Sequence, residues 1–198
     1  KKAGVDGLLL FKPENSRYTV GAIGMHLAWW ICEYACVPQS GKPTFYPTGG
    51  DVPRNKAHCP YLEGHIKPSR NLEEIGPARM AVAEIQVKEM IEEIEKAGFK
   101  GKKIGVDMLN FPIMEALKKA NVTVVDAETI MLDARMVKTD DEIVLVKYAA
   151  AINDSALYHC IYKMDKPGLR EWDVGAELIY IMRKYGCDVP NDGIRGIV

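Results

Sequence analysis

The sequence predicts an α/β protein in which helices pack on a sheet, and two observations carry this prediction. Short apolar runs that fit buried strands alternate with longer segments whose apolar residues recur at the helical period. Strands that alternate with helices are typical of a sheet covered by helices. A well-marked helix start at Thr139 then begins a second, helical part. We therefore predict two domains, residues 1–134 and residues 135–198.

Composition places the chain among ordinary globular proteins. Its 198 residues are 47% hydrophobic and 27% charged, and the net charge is -1. The balanced charge does not favour a nucleic-acid partner or a membrane surface. No apolar run approaches the roughly 20 residues of a membrane span. The five cysteines fit no zinc or redox spacing. We therefore expect reduced, mostly buried thiols in a cytoplasmic protein.

The first part of the chain begins with a buried strand. Residues 5–11 are short, apolar and bounded by glycine and proline. A short helix or turn is predicted at 13–18, and a second strand at 31–37. A polar, glycine-containing turn connects that strand to 44–46, which makes the pair a hairpin candidate. Residues 47–72 show no clear period, so we predict a loop with little regular structure.

The clearest helix of the first part is predicted at 73–98. Its apolar residues form one stripe, its glutamates form the opposite face, and Gly98 ends it. After this helix we predict a strand at 103–107, a helix at 111–119 capped by Asn110, a strand at 122–125 and helical turns at 126–133.

The second part opens on a helix whose start is unusually clear. Thr139 and Glu142 have the spacing of a capping box, and acidic residues occupy the first turn. Apolar residues then follow a roughly helical period, at Ile143, Val146, Ala150 and Ile152. A further helix is predicted over 171–185, with Val174, Leu178, Ile181 and Met182 as its apolar face. The tail at 193–198 resembles the beginning of a strand, so we expect the natural chain to continue.

Two groups of residues together resemble the creatinase/prolidase family of metallopeptidases. Gly7-Leu-Leu-Leu-Phe11, then Pro13-Glu-Asn-Ser-Arg-Tyr18 and Gly21, is similar to the signature of that family's N-terminal domain. Arg135, Lys138 and Glu142-Ile143, then residues 150–154, then Lys166-Pro-Gly168 and Glu171, resemble the helical start of its catalytic domain. Arg170 departs from the pattern, because the family more often has threonine before this glutamate. The resemblance implies a mixed sheet with flanking helices, followed by the first helices of an α+β "pita-bread" catalytic domain.

The resemblance also implies an activity. Members of this family are metal-dependent hydrolases that cleave a C–N bond, for example before proline. Two divalent metal ions (Mn, Co, Zn or Fe), held by two Asp, one His and two Glu, activate a bridging water. No position here matches those ligand motifs, so we assign no metal ligand and no catalytic residue to this chain. We expect the fragment alone to be inactive, and its parent to be a homodimer acting on a peptide or small molecule.

Three alternatives to a peptidase stay open. Within the superfamily, the parent protein could be an amidinohydrolase acting on a small molecule, or a dimethylsulfoniopropionate-type lyase. Outside catalysis, it could be an inactive member that serves as a binding or dimerisation module. Intact downstream metal ligands would favour the enzymes, and missing ligands would favour the binding module.

One aromatic cluster is the candidate substrate-binding site. His26, Trp29 and Trp30 lie between glycines and the second predicted strand, and aromatic side chains give rigid contact area with a polar handle. In dimers of the creatinase/prolidase family, which this sequence resembles, the corresponding loop of one subunit reaches the partner's active site. The resemblance therefore implies that His26, Trp29 or Trp30 contacts substrate in the partner. The alternative is that both tryptophans serve packing alone.

The other conspicuous polar residues have ordinary structural interpretations. His58 and His65, with Cys59 and Glu63 between them, fit a surface loop better than a metal site, because the spacing does not match a helical His pair. His159 fits a helix histidine with a satisfied hydrogen bond. Arg17 is expected to hold a carboxylate or backbone carbonyls rather than substrate.

Overall fold

The computed structural model describes residues 3–22, 33–72 and 75–187. Its contacts divide the chain into two compact units, residues 1–134 and residues 135–198, and each is described by itself. The first unit is a five-stranded mixed sheet with flanking helices, as predicted.

The sheet of the first unit combines an antiparallel half and a parallel half. Its strands are β1 (Gly7–Leu10), β2 (Tyr34–Pro38), β3 (Thr44–Tyr46), β4 (Lys103–Val106) and β5 (Thr123–Asp126). They lie in the order β3-β2-β1-β4-β5. β1 pairs antiparallel with β2 and β2 with β3, which confirms the predicted hairpin. β1 pairs parallel with β4 and β4 with β5, so these three strands have their carboxyl ends at one edge.

Five α-helices accompany this sheet in the residues that the structure describes. They are α1 (Pro13–Val20), α2 (Val52–His58), α3 (Arg79–Lys96), α4 (Phe111–Lys119) and α5 (Glu128–Met136). The predicted cap of α4 is confirmed, because the Asn110 side chain accepts a 3.0 Å hydrogen bond from the Ile113 amide.

Both faces of the sheet are buried, and this explains the continuous apolar run in β1. Leu9 and Leu10 are both fully buried but belong to different hydrophobic clusters. Successive side chains of a strand point to opposite faces, so a strand covered on both sides has no polar alternation. Leu9 packs in the cluster of Met90, Ile94, Ile104 and Leu117. Leu10 packs in the cluster of Val20, Ala35, Phe45, Leu62 and Met131.

The prediction of a loop over 47–72 is wrong. The segment contains α2 and two short 3-10 turns, Gly49–Asp51 and Pro60–Leu62. Val52, Cys59, Leu62 and Ile66 anchor this part in the second cluster, but prolines, glycines and polar residues fill the positions between them, which is the composition of a loop. The Asn55 side chain holds the turn by donating to the Asp51 carbonyl at 3.0 Å.

The long helix of the first unit starts later than predicted. α3 begins at Arg79, and a 3-10 turn at Gly76–Ala78 precedes it. Gly76 has a φ of 54°, in the left-handed region, so an α-helix cannot run through it. The predicted stop at Gly98 is confirmed by its positive φ of 89°.

The second unit contains two described helices, α6 (Asp140–Lys163) and α7 (Glu171–Lys184). The predicted capping box is present: the Glu142 amide donates to Thr139 Oγ1 at 3.3 Å, and the Thr139 amide donates to Glu142 Oε2 at 2.7 Å. Ala156 of α6 packs with Leu178 and Ile181 of α7 in a small buried cluster. Within the described residues, no helix is long and apolar enough to cross a membrane. The tail at 193–198 lies outside the described residues.

The apolar positions identified on α6 lie on both its exposed and its buried sides. Ile143 and Val146 are 40% and 57% exposed, and Ala150 is exposed as well, whereas Ile152 and Ala156 are buried. The reason is that apolar residues occupy most of the helix circumference, Val144 and Leu145 included. A pattern without one clear face does not tell which side packs.

The departure at Arg170 changes the start of α7 in a definable way. Arginine has no hydrogen-bond acceptor, so it cannot bond the free amides of the first turn as threonine would. The reciprocal bond of a capping box is still made by Asp173. Its Oδ2 accepts from the Arg170 amide at 3.0 Å and from the guanidinium Nε at 3.2 Å. The helix start is therefore held by one carboxylate.

The capping box of α6 makes a measurable prediction. Replacing Thr139 with alanine is expected to lower the free energy of unfolding of the second unit by about 1 kcal/mol, because the Glu142 amide loses its acceptor. Amide hydrogen exchange of the first turn of α6 measures the change. Thr139→Ser keeps the hydroxyl and is expected to match the unsubstituted protein; equal exchange in the alanine variant would contradict the prediction.

The described cysteines fit the prediction of reduced thiols. Cys36 and Cys59 are buried, Cys160 and Cys187 are partly buried, and all four are free. Burial raises the pKa of Cys36 to about 12, so this thiol is unreactive near neutral pH.

Candidate functional site

Four polar side chains meet where the parallel strands end. Lys12 and Asn15 follow β1, Asp107 follows β4, and Glu128 opens α5 just after β5. We call these four residues the polar corner. The carboxyl edge of parallel strands is where α/β sheets commonly bind ligands, so the contacts of the corner decide what it can do.

Asp107 is the centre of the polar corner. Its Oδ1 accepts from the Phe11 amide at 2.7 Å, and its Oδ2 accepts from Asn15 Nδ2 at 2.9 Å. The Lys12 amide adds longer bonds of 3.2 and 3.3 Å. Burial raises the pKa of Asp107, and these hydrogen bonds offset the rise only in part. The carboxylate therefore ties the start of α1 to the end of β4.

Glu128 extends the corner to α5. Its Oε1 lies 2.9 Å from Lys12 Nζ, and its Oε2 accepts from Asn15 Nδ2 at 3.1 Å. The hydrogen bond to Glu128 raises the pKa of Lys12, so this ammonium stays charged at neutral pH. Both carboxylates are engaged by donors of their own domain, which suits a structural lock on α1 better than proton transfer or metal binding.

The other end of α1 is fixed as well. The Tyr61 hydroxyl donates to the Val20 carbonyl, and Cys59 Sγ lies 3.5 Å from the same oxygen. Gly21 ends the helix with a φ of 56°, and a Cβ there would lie 2.9 Å from the Tyr61 hydroxyl. Burial raises the pKa of Tyr61 to about 12, so its proton stays available for this bond.

The predicted substrate-binding residues His26, Trp29 and Trp30 lie outside the described residues. They belong to the stretch that follows Ala22, the first residue after the glycine cap of α1. Their assignment therefore stays a prediction.

Arg17 and Tyr18, by contrast, are described. Arg17 is exposed on α1, and the Tyr18 hydroxyl makes a long 3.4 Å bond to the Ala134 carbonyl. Sequence reasoning missed Lys12, Asp107 and Glu128. The signal that could have found Asp107 is an acidic residue directly after a buried strand, in a sheet whose parallel strands share an edge.

The side chains of the sequence cluster around His58 do not come together in the structure. His58 is exposed at the end of α2, Cys59 is buried toward α1, and Glu63 is exposed. His65 contacts Thr44 instead, with 3.1 Å between Nδ1 and Oγ1. In the described ranges, no group of three or more His, Cys, Asp or Glu side chains is placed to hold a metal ion.

His65 belongs to a hydrogen-bonded chain at the edge of the sheet. The Thr44 hydroxyl donates to Glu93 Oε2 at 3.3 Å, so its single proton is used and His65 Nδ1 must donate to it. Lys67 and Lys96 bind Glu93 Oε1 at 2.5 and 2.9 Å. Burial acts to raise the pKa of Glu93, but the bonds from Lys67 and Lys96 outweigh it, and the pKa lies below its ordinary 4.5.

This depressed pKa predicts a pH dependence. Glu93 stabilises the fold fully above pH 4.5, and the contribution is lost as the pH falls through the lower pKa of the folded state. Glu93→Gln is expected to cost about 1 kcal/mol at pH 7 and to flatten the decline below pH 4.5. Thermal unfolding between pH 3 and pH 7 checks this; parallel curves for the two proteins would contradict it.

His159 has the satisfied role that the sequence predicts. Its Nε2 lies 2.7 Å from Glu177 Oε1, which links α6 to α7. These two residues are partners within the second unit and do not converge with a third acidic or sulfur ligand among the residues that the structure describes.

Comparison with known proteins identifies the fold. Three solved structures match about 94% of this chain: an Xaa-Pro dipeptidase from Bacillus anthracis, at 24% identity and a TM-score of 0.63, and the prolidases of Pyrococcus furiosus and Pyrococcus horikoshii, at 19% and 21% identity with TM-scores of 0.59 and 0.60. At these identities the likeness shows the fold. The chain spans about half the length of each, between 46% and 48%.

Sequence comparison gives the family. A protein named as an uncharacterized peptidase of Methanocaldococcus jannaschii is 39% identical over 59 residues, which are 29% of this chain and 17% of that protein. The family model of the Creatinase/Prolidase N-terminal domain matches residues 1–137, more than half of the chain. The chain therefore belongs to the creatinase/prolidase N-terminal domain family.

Proposed function

We propose that the full-length protein is a metal-dependent hydrolase of the Xaa-Pro peptidase type, which removes a residue that precedes proline. The observation that carries the proposal is the family match over residues 1–137. The fold likeness to Xaa-Pro dipeptidase and prolidase structures, which extends over 94% of the chain, supports it.

The proposal gives the two parts of the chain different roles. Residues 1–134 form the N-terminal domain, and residues 135–198 begin the catalytic domain. Two divalent metal ions (Mn, Co, Zn or Fe) would supply an activated water and polarise the scissile carbonyl. We assign none of their ligands to the described residues, whose carboxylates at the polar corner are engaged by Lys12, Asn15 and backbone amides. We therefore expect the described residues to support the reaction and not to perform it.

The contribution of the first domain to substrate binding is proposed to be made in a homodimer. His26, Trp29 or Trp30 of one subunit would contact the substrate bound by its partner. Support comes from α1, which precedes this stretch and is fixed by Asp107 at one end and Tyr61 at the other. A helix held at both ends is a firm base for a binding segment. We place the protein in the cytoplasm, where the described free thiols would stay reduced.

The paired tryptophans favour a second candidate. Bulky aromatic residues suit a small cationic ligand through cation–π contact. A small-molecule amidinohydrolase or a dimethylsulfoniopropionate-type lyase would use the same fold with Trp29 and Trp30 facing the cation. A non-catalytic member would use the domain for binding or dimerisation alone.

A substrate panel separates these functions. The full-length protein, loaded with Mn or Co, is assayed on Xaa-Pro dipeptides, on the same dipeptides with alanine in place of proline, and on creatine and dimethylsulfoniopropionate. Hydrolysis of the Xaa-Pro series alone supports the proposal. Turnover of creatine or dimethylsulfoniopropionate alone selects the second candidate, and no turnover of any compound selects the binding module.

A further inference from the structure

Helix α5 is poorly anchored by apolar packing. Met131 is its one buried side chain among nine residues. Leu132 and Met136 are 49% and 66% exposed. A short helix with one buried residue has little tertiary stabilisation of its own, because most helical stability in proteins comes from a packed face. Asp126 caps the start of α5 by accepting from the Glu128 amide at 2.9 Å, so further contacts matter most for the rest of the helix.

Helix α1 and its N-cap residue Lys12 supply polar contacts at two points of α5. At the first residue of α5, Glu128 binds Lys12 Nζ at 2.9 Å and Asn15 Nδ2 at 3.1 Å. In the last turns of α5, the Ala134 carbonyl accepts from the Tyr18 hydroxyl at 3.4 Å. We call these five residues the α1–α5 clasp.

The spacing of the two points matters. Glu128 and Ala134 are six residues apart, or about 9 Å along a helix. Met131 packs between these two points, and polar contacts on both sides of it fix the direction of α5 more firmly than packing at one residue. The contact at Ala134 is the longer and more exposed of the two, so it stabilises α5 little. Its effect is to restrict the direction of the helix axis.

The end of α5 leads directly into the next helix. α5 ends at Met136, and Thr139 is already the cap of α6, so only Val137 and Lys138 lie between them. Lys138 Nζ donates to the carbonyls of Arg135 and Met136 at 2.7 and 3.1 Å. Val137 is 81% exposed. The connection is therefore short, open to solvent and dependent on the last turn of α5 for its order.

We propose that Lys12 and Tyr18 are positioning residues whose clasp on α5 keeps the connection at 137–138 ordered. Part of the Pro13–Tyr18 run would then serve the exit of the chain from the first domain. The inference rests on contacts within this chain and does not require the proposed hydrolase activity.

Limited digestion of the full-length protein with trypsin tests the proposal, because Arg135 and Lys138 are cleavage sites at the connection. The variant Lys12→Met/Tyr18→Phe removes the ion pair and the hydroxyl while keeping both side-chain volumes. Lys118→Met/Tyr148→Phe is the matched control, since it removes a 2.7 Å ion pair on α4 and a 3.3 Å tyrosine–carbonyl bond in the second unit. Cleavage products are identified by mass spectrometry, and melting temperatures are recorded in parallel.

We expect cleavage after Arg135 and Lys138 to be about fivefold faster in the clasp variant, and within about twofold of the unsubstituted protein in the control. An unchanged rate in the clasp variant would overturn the proposal. Faster cleavage spread over the whole chain with a lower melting temperature would also overturn it, because the clasp would then stabilise the domain generally. Each single variant, Lys12→Met and Tyr18→Phe, is expected to show a smaller rise at the same two sites.

Discussion

Replacing Asp107 with alanine is expected to lower the free energy of unfolding of the first domain by about 3 kcal/mol. The substitution leaves the Phe11 and Lys12 amides and the Asn15 side chain without their common acceptor, in a partly buried place. The raised pKa of Asp107 shows that burial disfavours its charge. The expected loss comes instead mainly from the Phe11 and Lys12 amides, whose desolvation is no longer compensated, whereas Asn15 keeps its bond to Glu128. Urea unfolding followed by circular dichroism measures it.

The chain offers a matched control for this experiment. Asp6 also accepts from two backbone amides, those of Lys102 and Lys103 at 2.8 and 3.1 Å, but this site is exposed. Water can replace the lost acceptor there, so Asp6→Ala is expected to cost about 1 kcal/mol or less. Equal losses for Asp6→Ala and Asp107→Ala would show that the polar corner is not a lock.

Replacing Trp29 or Trp30 with alanine is expected to raise KM of the full-length enzyme for its Xaa-Pro substrate by about tenfold or more. Large aromatic side chains at contact sites typically contribute 1–3 kcal/mol, or roughly ten- to a hundredfold in binding. The expectation follows from the proposed contact in the partner subunit. Steady-state kinetics of the metal-loaded full-length protein give KM and kcat separately.

The control for these variants is Trp172→Ala. Trp172 is 84% exposed on α7 and has no assigned role in substrate binding. We expect its replacement to leave KM within about twofold. If both Trp29→Ala and Trp30→Ala keep unsubstituted values of KM and kcat in a folded dimer, the tryptophans serve packing and the proposed contact is wrong.

The run similar to the family signature has a physical explanation in this fold. Asn15 bridges Asp107 and Glu128, and Tyr18 reaches Ala134. Each of these contacts joins residues more than 90 positions apart in the sequence. The Pro13–Tyr18 run therefore marks a polar junction between segments that are distant in the sequence. The described contacts of Asn15 and Tyr18 are structural.

Local chemistry predicted many of the elements. The apolar run before Pro13, the cap at Asn110 and the capping box at Thr139 each act over a few residues, so the sequence alone is sufficient to place them. A predicted boundary was wrong where the backbone conformation of one residue ends a helix. Gly76, with its positive φ, makes α3 start later than the sequence predicts.

The polar corner and α2 could not be predicted in the same way. Asp107 meets Phe11 and Asn15 only because β1 and β4 are parallel neighbours, and no periodicity reports strand order. α2 is anchored through Val52, Cys59 and Leu62, but it lies in a stretch rich in proline, glycine and polar residues that has the composition of a loop. The sequence alone did not show which side of α6 is buried, because apolar residues surround that helix.

The most direct measurement compares Xaa-Pro dipeptide hydrolysis by the full-length protein and by the 198-residue chain, both loaded with Mn and both shown to be folded by a cooperative thermal transition. We predict turnover by the full-length protein, lost on chelation and restored by metal, and no turnover by the 198-residue chain. Turnover by the 198-residue chain would contradict the assignment of the chemistry to segments outside it, and no turnover by the full-length protein would contradict the proposed hydrolase.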